Sequence, residues 1–95
     1  MAKPYAWNPE KNAQIQEERG ISFEEIVAAL EDNKLLERTP HHNPKLAHQD
    51  ILFVALKGDV VAVPCVENEE HIFLKTAFVS RKARAKYLSN QQDHD

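Results

Sequence analysis

The chain has 95 residues, 42% of them apolar, which is enough for one core that removes roughly 60 to 70% of the unfolded surface from water and too little for two domains. Its single cysteine, Cys65, excludes an internal disulfide, and no apolar run reaches the length of a signal peptide or a membrane span, so a reducing cytoplasmic setting is expected. The net charge of −3 is unevenly spread: Asp59 to Ile72 holds four acids and no Lys or Arg, whereas Phe73 to Asn90 holds five bases and no acid.

Lys3 to Trp7 alternates around Tyr5 and Trp7 and reads as a short strand, with Pro4 favouring a sheet edge because it cannot donate to a ladder. Asn8 followed by Pro9 and Glu10 has the form of an N-cap, a first-turn proline and a first-turn acid, and Gly20 supplies a left-handed stop. A first helix over Pro9 to Arg19 follows. Ser22 and Glu25 then form a capping box, with Ile21 and Ile26 at the hydrophobic-staple positions, so a second helix starts at Phe23. Its Phe23, Ile26, Val27 and Leu30 make one apolar stripe that should face the core.

Leu35 to Thr39 suits a short strand, and the His-, Pro- and Asn-rich segment from Pro40 to Gln49 reads as a loop. Ile51 to Lys57 and Val60 to Glu67 are apolar runs joined by Gly58 and Asp59, which predicts a type II′ hairpin, and Pro64 predicts a bulge or an edge position in the second run. A third run, His71 to Val79, completes an antiparallel meander. Ser80 is placed to cap a last helix in which Ala83 and Tyr87 share a face and Arg81, Lys82, Arg84 and Lys86 fill most of the rest. The fold class is α+β: two short N-terminal helices, a meander sheet of three to five strands and a basic C-terminal helix, as a single domain over residues 1–88 with a disordered polar tail at 89–95.

Arg81 and Lys82 at a helix start after a strand suit phosphate, although charge alone fits a solvated helix face equally well. Glu24 and Arg19 flank the Gly20 break and could pair as a base and an electrophile, but a carboxylate in a first helical turn is favoured without any catalytic role. His41, His42 and His48 cluster in the loop, where an acid-base role is a better fit than a metal site, since no cysteine or His-Glu-x-x-His motif accompanies them. Cys65 lies in a strand run and reads as a buried thiol, and Tyr5 and Trp7 read as packing residues that could also stack on a base.

Three blocks together, Tyr5-Ala6-Trp7-Asn8-Pro9-Glu10-Lys11, Glu18-Arg19-Gly20-Ile21-Ser22-Phe23-Glu24-Glu25 and Val79-Ser80-Arg81-Lys82-Ala83, resemble the BrnT-type toxins over about residues 5 to 88. The resemblance implies a RelE-like fold and a metal-independent ribonuclease toxin of a bacterial type II toxin-antitoxin system, with no cofactor. It further implies a cognate antitoxin protein carrying a DNA-binding domain and an RNA substrate, with homo- or hetero-oligomers left open. Carried onto this chain, the resemblance matches Arg19 to the family's basic residue before glycine, Glu24 or Glu25 to its helix-start carboxylates, Arg81 to its helix-start arginine, and Trp7 and Lys11 to the first block. The expected catalytic residues are then Arg19, Lys75 and Arg81 on phosphate with Glu24 or a loop histidine moving the proton, and Lys82, Arg84, Lys86 and Trp7 are expected to bind RNA. Asn8 stands where aspartate is usual, Arg19 where histidine is common, and Lys75 about one position from the expected strand arginine, which marks a divergent branch. The rival expectation is a non-catalytic module that docks a protein partner on the basic last helix.

Overall fold

The computed structural model describes residues 3–87. The tail expected to be disordered, and the domain boundary placed at residue 88, lie outside the described residues.

Local signals account for the first half of the chain. The strand β1 (Tyr5–Trp7) leads into α1 (Pro9–Arg19), where the Asn8 side chain accepts from the backbone N–H groups of Glu10 and Lys11. Gly20 ends this helix at φ 69° with its own N–H bonded back to the Gln16 carbonyl, a conformation that glycine adopts without Cβ strain. The helix α2 (Phe23–Glu31) begins on a complete capping box: Glu25 N–H donates to Ser22 Oγ, and Ser22 N–H donates to Glu25 Oε1, each at 3.1 Å. Both helices have the predicted starts.

Among the described residues, β2 (Leu35–Pro40), β3 (Asp50–Leu56), β4 (Asp59–Glu67), β5 (Ile72–Leu74) and β6 (Phe78–Val79) join β1 in one six-stranded mixed sheet of order β1-β5-β4-β3-β2, with β6 also on β4. The expected antiparallel meander is present, but β1 closes the sheet by pairing parallel to β5, from Tyr5 opposite Ile72 to Trp7 opposite Leu74. No local pattern announces a contact of that sequence separation.

Two details differ from the expectation. The hairpin turn falls one residue earlier, at Lys57 and Gly58, where both residues have positive φ (54° and 77°) and Leu56 faces Asp59. That is the signature of a type I′ turn, whose twist matches the strands, rather than the type II′ turn that Gly58-Asp59 suggested. Pro64 causes neither a bulge against β3 nor an edge position: it sits in register opposite Ile51. Its carbonyl accepts from Lys75 N–H at 2.8 Å. In an antiparallel ladder a residue's N–H and C=O point to the same neighbour, so the donor that proline lacks falls on the β5 side. The third run breaks at that point into β5 and β6.

The pleat sorts the apolar residues onto two faces. Leu52, Val54, Val61 and Val63 join Ile15, Phe23, Ile26 and Leu74 in the main core beneath α1 and α2. Phe53 and Ala62, partners in register, point to the opposite face, where α3 (Arg81–Tyr87) packs with Ala83 buried and the Tyr87 ring 5.8 Å from Phe53. Among the described residues no helix is long and apolar enough to cross a membrane.

Candidate functional site

The predicted catalytic residues do not all meet. Arg19, the last residue of α1, is held by a bond from its Nη1 to the carbonyl of Ala77 at 3.1 Å, which draws the guanidinium toward β6. On the far side of β6, Ser80 Oγ accepts from Ala83 N–H at 3.2 Å and starts α3, so Arg81 and Arg84 stand three residues apart on one helical face. The result is an open cavity of about 730 Å³ lined by Arg19, Arg81, Arg84, Asp59, Phe78 and Val79. Three guanidinium groups from two distant helices therefore share one depression with one carboxylate.

Asp59 is the only counter-charge in that lining, and its Oδ1 lies 3.7 Å from Arg84 Nε with both side chains well exposed. Exposed pairs of this kind are weak, so an incoming anion can compete for Arg84. Arg19 and Arg81 have no carboxylate within 4.0 Å among the described residues. A planar fork of donors suits a phosphate better than a lysine point charge does.

The other expected residues lie elsewhere. Glu24 makes no ion pair with Arg19 within 4.0 Å: its Oε1 accepts from Asn12 Nδ2 at 2.7 Å, while Asn12 Oδ1 accepts from Phe23 N–H at 2.9 Å. Asn12 is thus a buried bridge between α1 and the start of α2, and the Glu24 carboxylate belongs to it. Sequence reading overlooked this residue because an asparagine inside a helix carries no signal of its partner. Trp7 packs against the core ring of Phe23 with centroids 5.7 Å apart, on the helix-covered face and away from the arginines. Lys75 is outside the arginine cavity, with its Nζ 5.7 Å from the centre of the Phe73 ring.

A second cavity, of about 410 Å³, lies on the α3 face of the sheet, with Phe53, Ala62 and Phe78 among its apolar lining and Lys82, Lys86 and His42 at its polar positions. Phe78 lines both cavities. Tyr87 borders the second one, donates its hydroxyl to Glu37 Oε1, and has its pKa pushed up to about 12 by burial and by that carboxylate. It is a neutral donor at any physiological pH. Lys86 Nζ lies 3.8 Å from the same Glu37 oxygen, which leaves Lys82 as the cation of this rim without a carboxylate within 4.0 Å among the described residues. His42 stacks on His41 with ring centroids 4.9 Å apart. Cys65 is buried, and burial pushes its thiol pKa up, which fits the inert structural role expected. Among the described residues no group of three or more His, Cys, Asp or Glu side chains is placed to hold a metal ion.

Comparison with curated proteins and with solved structures gives no match. A family model described as Domain of unknown function (DUF4258) matches residues 13–79, from inside α1 to the end of β6, so that Arg19 lies within the matched span and Arg81 and Arg84 follow it. That span covers well over half of the sequence, and the chain belongs to the DUF4258 family.

Proposed function

We propose that this protein binds single RNA strands through the cavity of Arg19, Arg81 and Arg84 and cleaves them without a metal, as a toxin of the type II toxin-antitoxin class that its sequence resembles. One observation supports the reading above the others: arginines separated by most of the chain, one ending α1 and two on α3, line the same depression. Guanidinium groups there would hold the scissile phosphodiester and offset the negative charge that develops on its oxygens as the ribose 2′-oxygen attacks phosphorus. The 2′-hydroxyl proton then passes to a base while the 5′-oxygen leaves and takes up a proton, giving a 2′,3′-cyclic phosphate and a 5′-hydroxyl end. Glu24 lies outside the lining of the arginine cavity, with one carboxylate oxygen accepting from Asn12, so the base is assigned to His42, which lines the adjoining cavity. Arg84 replaces Lys75 among the phosphate ligands.

A second reading is favoured by the exposure of Phe78 and Val79 beside these arginines, 40% and 39%. Apolar and cationic groups side by side also fit an acidic protein segment, as a cognate antitoxin would offer, and such a segment would shield the same surface in the cytoplasm.

Single-turnover cleavage of a single-stranded RNA tests the proposal. Arg19→Ala and Arg81→Ala are each expected to lower the rate about 10² to 10³-fold, the usual loss when one charge-stabilising donor is removed. The triple arginine variant should also bind RNA with a shallower salt dependence. Unchanged affinity and salt slope in a folded triple variant would reject the site.

A further inference from the structure

The cavity beneath α3 has a composition that the arginine site does not explain. Its floor is apolar and aromatic, with Phe53 and Phe78 across Ala62, and its rim carries Lys82, His42 and the neutral Tyr87. Its volume of about 410 Å³ falls within the roughly 300 to 1,000 Å³ of small-molecule sites. Phe78 forms part of the wall on both sides, so an aromatic ring stands where the two cavities meet. Lys82 follows Arg81 directly in α3 and lines the second cavity while Arg81 lines the first.

We propose that the α3 cavity is a nucleobase site, which receives one unstacked base against Phe78 and Phe53 while the adjoining phosphate lies among Arg19, Arg81 and Arg84. The proposal rests on the RNA reading above and deepens it by naming the substrate class as an unpaired nucleotide whose base has left its stack. The physical reasons are specific to this arrangement. A base has an aromatic face and a polar edge, matching an aromatic floor with a lysine and a neutral phenol at the rim, and stacking of this kind tolerates any base. Inside a duplex the neighbouring pairs cover both faces of each base, so a base reaches the floor only after leaving its stack.

Two fluorescent oligonucleotides of equal length separate base contacts from phosphate contacts. Both carry 2′-deoxy sugars so that neither can be cleaved; one has its bases and the other is abasic throughout. The intact strand is expected to bind the wild-type protein about 5- to 100-fold more tightly, the range a stacked base contributes. Phe78→Ala and Phe78→Leu should both abolish that preference while retaining the salt dependence, and Leu does so without loss of apolar bulk. Because Phe78 is 40% exposed both variants are expected to fold, and circular dichroism of each checks that they do. Arg81→Ala with Arg84→Ala should weaken both strands alike. Equal affinity for the two strands in the wild type would overturn the base site and leave the phosphate reading standing. Absence of binding to either strand, with an all-RNA strand of the same length bound no better, would overturn both. Binding of an acidic peptide rich in Leu and Phe that is lost in Phe78→Ala, together with equal strand affinities, would give the cavity to a protein partner instead.

Discussion

Glu24 had the expected position for a base, in a first helical turn beside Arg19, yet its oxygen is taken by Asn12. The significant residue is Asn12 itself, 8% exposed, which satisfies the Phe23 N–H that α2 cannot bond internally. Asn12→Ala should therefore cost about 1 to 3 kcal/mol, the range for a buried donor left without a partner, read as a lower midpoint in urea unfolding. Glu24→Gln keeps an acceptor for Asn12 and should leave single-turnover RNA cleavage nearly unchanged. A large rate loss in Glu24→Gln at full stability would return this carboxylate to the mechanism. The charge excess of the C-terminal segment was legible in the sequence, but its partition was not: Asp59 and Glu37 each approach one of its cations, and both are distant in sequence.

Secondary-structure elements follow their local signals closely wherever a cap or a turn decides them. The bounds of α1 and the start of α2 were legible because Asn8, Gly20, Ser22 and Glu25 act within one turn of themselves. The hairpin between β3 and β4 was legible as a hairpin, but its turn was misplaced by one residue, since Lys57 tolerates a left-handed conformation that its type does not advertise. Gly58→Ala tests the turn: at φ 77° an alanine meets no neighbouring atom, so any cost comes from backbone strain alone. About 1 to 2 kcal/mol is expected, measurable by thermal or urea unfolding. The break between β5 and β6 was not legible, because the missing proline donor matters only once Lys75 is known to face Pro64. For the same reason the arginine cavity was half visible: Arg19 and Arg81 could each be named, and only the placement of β6 between α1 and α3 unites them.

At the scale of the whole molecule, ion pairs fasten the sheet across its width. Arg38 of β2 binds Asp50 of β3 at 2.7 Å and Glu67 of β4 at 2.8 Å, and Lys3, just before β1, binds Glu67 at 2.8 Å. Hydrogen bonds from Lys3 and Arg38 hold the Glu67 carboxyl below its ordinary value of 4.5, and Lys57 and Ser22 do the same for Glu25. Carboxylates with depressed values stabilise the fold fully above that ordinary pH, and the contribution is lost as pH falls through the lowered values. Stability from circular-dichroism unfolding should decline below about pH 4.5, and less steeply in Glu25→Gln with Glu67→Gln; identical slopes would show that these pairs carry no linkage. The parallel pairing of Tyr5 with Ile72 has a different consequence, which concerns time. The β3–β4 hairpin closes over a two-residue turn and can form first, but β1 finds its neighbour only after nearly the whole described chain exists. On a ribosome β1 thus emerges well before the strand it pairs with, and Trp7 has only Phe23 to lean on until Leu74 arrives beside it.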